Sequence, residues 1–226
     1  IGPPRDAGAL PVTQMRKGFA LARGVKRATV YVTALGLYEL RINGQQVGET
    51  VLAPEWTSYR RRVQYQVHDV TRHLRAGENV VGALVAEGWY AGRLMVVGRF
   101  AYGTHPRLLL QLEIEEDDGS RRIIVTDETW RTTTQGSITA AGIYDGETCD
   151  FRKEQEGWET GGYDDGAWKR AAAFDRDDRL LVWQRNEPIA ITRELAPVGR
   201  TEPRPGVHVF DFGQNFSGWC QLRAEG

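Results

Sequence analysis

Cysteine is scarce in this chain of 226 residues: Cys149 and Cys220 are the only two, and neither lies in a CxxC pair or a histidine cluster. That spacing writes no zinc site and leaves both as plain thiols, with the compartment unassigned. Histidine is nearly as rare. His68, His73, His105 and His208 never fall at i,i+4 or beside a serine nucleophile motif. A metalloprotease helix and a hydrolase elbow are thereby excluded, and all four read as exposed loop residues. An excess of either charge is missing too: 29 Lys and Arg against 30 Asp and Glu give a net charge of -1. No whole-chain field favours nucleic acid or an anionic membrane, so neither is expected as a partner, and a neutral or small polar ligand fits better. No apolar run approaches the roughly 20 residues that span a bilayer. The opening IGPPRDAGAL has no charged segment followed by an apolar one, so no anchor or export signal is read there.

Helical periodicity is nearly absent, and a two-residue alternation recurs between turn signals, the pattern of short β-strands. With 41% hydrophobic and 26% charged residues, the composition suits one globular β-sandwich plus a fragment. One strand is expected over Ala28 to Ile42, where Tyr38, Leu40 and Ile42 share a face opposite Glu39 and Arg41. Asn43-Gly44 then supplies the positive-φ pair of a tight hairpin. Leu108, Leu110, Leu112 and Ile114 alternate before Asp117-Asp118-Gly119, and Arg122 to Val125 returns as a second hairpin. Between them Asp69 caps one short turn, and Val80 to Ala86 reads as a buried strand. Residues 1–14, with Pro3, Pro4 and Pro11, read as a linker, and 15–185 as the main module. A composition shift around DRDDR (175–179) and Glu187-Pro188 sets a boundary near 185. Residues 186–226 hold a proline-rich connector, Pro203 to Gly206, and no closing turn, so they are expected to open a second β-sandwich that continues beyond them.

The run YVTALGLYELRINGQQVG, then VLAPEWTSYRRRVQYQVHDVTRHLRAGENVVGALVAEGWYAGRL, closely resembles the N-terminal β-sandwich module of bacterial α-L-rhamnosidases, glycoside hydrolase family 78. DETW at 127–130, IYDGET at 143–148, WETGGYDDGAW at 158–168 and VFDFGQNFSGW at 209–219 follow in that family's order. The resemblance therefore runs from about residue 15 to the end of the sequence. It implies an all-β fold: a galactose-binding-like jelly roll to about 185, then the first strands of a second sandwich marked by FDFGQN. It also implies a parent enzyme that hydrolyses terminal α-L-rhamnosides with inversion, using paired glutamates in a downstream (α/α)6 domain of the same chain. This segment alone is then non-catalytic. Its partners are that catalytic domain and rhamnose-containing glycans or glycosides. Some members hold a calcium ion that contacts rhamnose in this module, classed as carbohydrate-binding module family 67, so calcium is the one cofactor the resemblance admits. No metal ligand is assigned: Glu49-Thr50 stands where relatives carry an Asp-rich pair, and Phe100-Ala101 where they carry Asn.

A pyranose presents an apolar face that stacks on aromatic rings and hydroxyls that pair with Arg, Asp or Asn. Trp89, Tyr90 and Arg93, in a glycine-flanked loop, are the first candidates for carbohydrate binding. Trp56 and Tyr59, beside Arg60 to Arg62, form a second group, and Tyr102 with Arg99 and Phe100 in the Gly98 to Pro106 loop a third. The plainer reading of each is packing. Asp145 and Glu147 share a strand face at a spacing that approaches a glycosidase pair, but no apolar pocket is written around them to create an acid, so no catalytic residue is assigned. Trp158 and Trp168 read as pins holding a loop on the sandwich, and Asp164-Asp165 as a turn. The competing function is a ligand-free structural or protein-interaction β-sandwich.

Overall fold

The computed structural model describes residues 8–174 and 180–223. The chain divides into two compact units after Ala190. The strands of the first unit are β1 (Thr13–Leu21), β2 (Val25–Leu35), β3 (Leu37–Ile42), β4 (Gln45–Gln46), β5 (Arg62–Asp69), β6 (Gly77–Ala86), β7 (Arg107–Glu116), β8 (Arg121–Val125), β9 (Arg131–Thr133), β10 (Ile138–Gly142), β11 (Gly146–Cys149), β12 (Lys169–Arg170) and β13 (Leu180–Trp183). A single helical turn, α1 (Gly88–Ala91), follows β6. The second unit contributes β14 (Gly199–Arg204) and β15 (Val207–Asp211).

Two sheets make the first unit a sandwich, with strand orders β12-β9-β1-β6-β3-β4 and β13-β5-β2-β7-β8. Alternation does what it should: Val30 and Val32 of β2, Leu40 and Ile42 of β3, Val81, Ala83 and Val85 of β6, and Leu110, Leu112 and Ile114 of β7 meet in one core around Trp130. All are 2% exposed or less. Each large side chain so placed contributes about 1.5–3 kcal/mol, which sets the register of both sheets.

The strand expected over Ala28 to Ile42 is two strands. β2 belongs to the five-stranded sheet and β3 to the six-stranded one. Gly36 makes the crossing at φ 129°, where a Cβ would overlap the Ala86 carbonyl oxygen. The turn after β3 is as expected, with Asn43 at φ 52° and Gly44 at φ 81°.

The linker reading of residues 1–14 is corrected at its end, and residues 1–7 lie outside those described. Leu10 donates its N–H to Glu87 Oε2 at 3.0 Å, Val12 is 5% exposed, and β1 has begun by Thr13. Leu10 and Val12 are apolar residues on either side of Pro11, and burying them docks the segment. Three histidines are also corrected: His208, though exposed, lies on β15 rather than in a loop. His68 lies on β5 and is half-buried, while His73 is buried in a 3₁₀ turn (Thr71–His73) behind Asp69, which accepts the Thr71 N–H at 2.9 Å.

Segment 134–168 covers the outer face of the six-stranded sheet. It buries Arg16 of β1, whose Nε donates to the Trp158 carbonyl at 2.8 Å, whose Nη2 donates to the Thr160 carbonyl at 3.0 Å, and whose Nη1 pairs with Asp165. Trp158 and Trp168 act as the expected pins, buried with ring centroids 6.0 Å apart.

The first unit ends later than 185 because Glu55 and Val51 hold the chain. Glu55 accepts Gln184 Nε2 and Asn186 Nδ2, each at 2.7 Å, and Val51 donates to the Ile189 carbonyl at 2.9 Å. The DRDDR run lies outside the described residues. In the second unit the proline-rich connector is part of a hairpin: Pro203 sits in β14, and Gly206 at φ 77° makes the turn to β15.

Candidate functional site

The three aromatic loops singled out by residue type converge. α1 carries Trp89 and Tyr90 directly off the end of β6. Gly88 enters that turn at φ 48°, against Leu37, where a Cβ would stand 2.7 Å from Leu37 Cγ. Trp56 follows Glu55, itself at φ 71°. The indoles of Trp56 and Trp89 lie near-parallel, 7° between planes and 6.1 Å between centroids. Trp56 is 49% exposed and Trp89 half-buried, so the stacked pair forms an aromatic platform at the surface with Trp56 its more exposed ring.

Beneath the platform lies a small second core of Leu35, Tyr59, Val63, Tyr90 and Ala91, with Phe100 and Tyr102 packed on it. Tyr59 meets Tyr90 edge-on at 5.4 Å and Tyr102 at 5.2 Å. Burial pushes the Tyr59 phenol well above its ordinary range, so it stays neutral there. Tyr90, at 3% exposure, is under the platform rather than on it, and a Cβ at Gly103 would overlap its hydroxyl. Tyr102 is half-buried, with part of its ring at the surface.

A chain of charges fixes the loops. Arg99 is enclosed, with Nη2 paired to Glu87 and Nη1 to Asp145 Oδ2 at 2.7 Å. Arg93, largely exposed, donates from Nε to Asp145 Oδ1 at 2.9 Å. Both Asp145 oxygens are thus occupied by guanidinium groups, and none is left to protonate a glycosidic oxygen. Burial pushes the Glu87 carboxyl above the usual range, against the lowering pull of the Leu10 N–H and Arg99. Glu87 Oε1 and Arg99 Nε have no partner. Residue-type reasoning did not single out Glu87. The signal was there: a carboxylate ends the apolar run VVGALVA, where only a buried partner accounts for it.

The donor set does not fit calcium at this platform. Glu55 is saturated by amide N–H groups, Asp145 and Glu87 face guanidiniums, and Glu49 is exposed. Among the described residues no group of three His, Cys, Asp or Glu is placed to hold a metal ion.

Comparison with known proteins agrees with this architecture. The family model for the alpha-L-rhamnosidase N-terminal domain matches residues 23–193. The alpha-L-rhamnosidase of Streptomyces avermitilis is 46% identical over 220 residues, covering 96% of this chain and 21% of that protein. Its crystal structure complexed with L-rhamnose superposes with a TM-score of 0.86, covering 92% of this chain and 20% of the other. The native Aspergillus terreus enzyme, 39% identical, gives 0.87 over 93% of this chain and 24% of its own. The chain therefore spans about a fifth of the length of the relatives it matches. With an all-β sandwich, a family match over most of its length and these neighbours, the chain belongs to the alpha-L-rhamnosidase N-terminal domain family.

Proposed function

We propose that this chain is the non-catalytic N-terminal module of an enzyme that hydrolyses terminal α-L-rhamnosides, and that it holds a rhamnosyl unit on the Trp56–Trp89 platform. The observation that carries the binding role is the stacked pair of indoles at the surface, whose more exposed ring, Trp56, offers an apolar aromatic face to one pyranose ring. Tyr102 supplies a polar group from a neighbouring loop, and the Arg93 guanidinium supplies one from the loop of Trp89 itself. The sugar's C–H face lies on the rings and its hydroxyls turn outward to those groups. The non-catalytic role is supported by the engagement of Asp145 on both oxygens and by the exposure of Glu147 on an open hairpin. A supporting role toward the downstream catalytic domain is favoured by apolar residues on the outer face of the five-stranded sheet, where Leu109, Ile123 and Val125 are each more than two-fifths exposed.

A single pyranose face buries little area, so affinity falls at about 0.1–1 mM, near 4–5.5 kcal/mol. Calorimetric titration of L-rhamnose into the 226-residue chain tests this. Trp89→Ala or Trp56→Ala is expected to remove roughly 1–3 kcal/mol, enough to erase the signal. Calcium and chelator are expected to give the same curve, since the donor set does not fit the ion. No heat with the unsubstituted chain sinks the binding role. Release of p-nitrophenol from the α-L-rhamnoside, abolished by Asp145→Ala, sinks the non-catalytic one.

A further inference from the structure

A cavity of about 350 Å³ lies on the outer face of the six-stranded sheet and shares no residue with the indole platform. Its floor is Gln14 of β1, Leu84 of β6 and Arg41 of β3, and its wall is the 136–159 segment. That volume is at the small end of the roughly 300–1,000 Å³ typical of ligand sites.

Gln14 is 4% exposed, lines the cavity, and its Oε1 has no hydrogen-bond partner. Buried polar atoms are almost always paired, so this oxygen calls for a donor from outside the chain. Gly136 makes room for it: a Cβ there would stand 2.6 Å from Oε1. Around this acceptor the lining alternates in kind. Arg41 donates to Glu39 at 2.9 and 2.6 Å and keeps Nη1 3.7 Å from Glu159, while Ser137 adds a hydroxyl. Leu84 and the buried Trp158 are apolar, and Phe151, 78% exposed, stands on the same lining.

We propose that this cavity binds a neutral pyranose unit, with Gln14 Oε1 accepting from one of its hydroxyls and Phe151 covering its C–H face. Hydroxyls both give and take hydrogen bonds, which suits a wall carrying a guanidinium, carboxylates, an amide and a hydroxyl together. An ammonium could use only the acceptors. A metal ion is not favoured, because no qualifying ligand group exists among the described residues. Cys149, also on the lining, is no nucleophile: its S–H donates to Glu147 at 3.0 Å, and that bond, with burial and the Glu147 and Glu154 charges, pushes the thiol up to about 11.

The test is NMR of the isotope-labelled 226-residue chain carrying Trp56→Ala, titrated separately with L-rhamnose, D-glucose and ethanolammonium. At least one sugar is expected to shift the Leu84 and Ile138 methyls and the Gln14 side-chain amide saturably. Phe151→Ala, at an exposed position that leaves the fold alone, and Gln14→Leu are each expected to weaken that binding about tenfold or more. The proposal is overturned if neither sugar moves those signals by about 50 mM, where even a ~10 mM site is mostly filled. It is also overturned if ethanolammonium alone moves them, or if both variants bind as before. The Trp89 indole N–H reports the platform separately, so failure of one site is not mistaken for failure of the other.

Discussion

Arg99→Met is the sharpest perturbation of the platform's foundations. Arg99 and Glu87 are both fully enclosed, so their ion pair is a buried one. Glu87 directly precedes α1, which carries Trp89, and Arg99 opens the loop that carries Phe100 and Tyr102. Methionine keeps an apolar stem of similar reach and removes the guanidinium. Glu87 Oε2 is then left with the Leu10 N–H alone, and Oε1 already has no partner. Removing one member of a buried pair costs about 3–5 kcal/mol, because the other charge stays buried and uncompensated. Protonation of Glu87, whose burial already pushes its carboxyl upward, offsets part of that cost, so the loss falls near 3 kcal/mol at neutral pH. The sign follows: a carboxyl raised in the folded state favours folding when protonated, so the variant's deficit shrinks at acidic pH and grows as pH rises through the raised value. At about 2–4 °C per kcal/mol for a domain of this size, the melting midpoint drops by about 6–12 °C. Urea unfolding followed by circular dichroism, at unchanged m-value, gives the direct measure. Glu87→Gln/Arg99→Met removes both charges and is expected to recover at least half of the loss. A loss below about 1 kcal/mol in Arg99→Met, or a double variant no better than the single, refutes the buried-pair reasoning.

Gly36→Ala is expected to cost more than about 2 kcal/mol, since alanine meets both the positive φ and the Ala86 carbonyl, whereas Gly77→Ala, at φ 86° with nothing within 4 Å, pays backbone strain alone, about 1 kcal/mol. Thermal melts of the two variants should separate them clearly, and equal losses would contradict the sheet-crossing role of Gly36. Stability is expected to fall as pH drops below about 6.5, because burial lowers the His68 and His73 imidazoles and the unfolded chain takes up protons first. His73 Nδ1 is buried without a partner, so protonation there adds a buried N–H with no acceptor, and His68→Gln/His73→Gln is expected to make the urea midpoint nearly independent of pH between 5 and 7.

Much of the sandwich is legible because each core position is an alternation on a half-buried strand and the hairpin turns carry residues that accept positive φ. The crossing at Gly36 was hidden by parity. Ala28, Val30, Val32 and Ala34 face the core on one side of it, and Tyr38, Leu40 and Ile42 on the other, so the even-numbered rhythm runs through with no slip. The buried charges were hidden for a different reason. Arg16 alternates as an outward residue and is one; only the 134–168 segment, packed back across the sheet, turns outward into buried. At the platform, residue type singled out loops that the fold brings together but could not rank neighbours. Trp89 and Tyr90 are adjacent on one helical turn, and the turn alone sends one ring to the surface and the other into the small core.

Backbone strain gives an independent reason to place function at that end of the sandwich. Apart from Asn43 in its hairpin, the described non-glycine residues at positive φ are Leu52, Glu55, Met95 and Phe100. All four lie in the two segments that carry or flank Trp56, Trp89 and Tyr102. Each such conformation costs on the order of 1–3 kcal/mol and persists only where the surroundings over-determine it. The surroundings here do so twice. Glu55 is held by Gln184 and Asn186, and the Phe100 N–H donates to the Ala91 carbonyl at 3.1 Å beside the enclosed Arg99. A loop held this firmly loses little entropy when a ligand arrives, which matters most for a ligand as small as one sugar ring. The same strain has no use in a surface that merely packs, where relaxed loops would bury the same rings at lower cost. The distribution of strain thus favours the ligand-holding reading of the platform over the ligand-free one, on grounds separate from its aromatic composition.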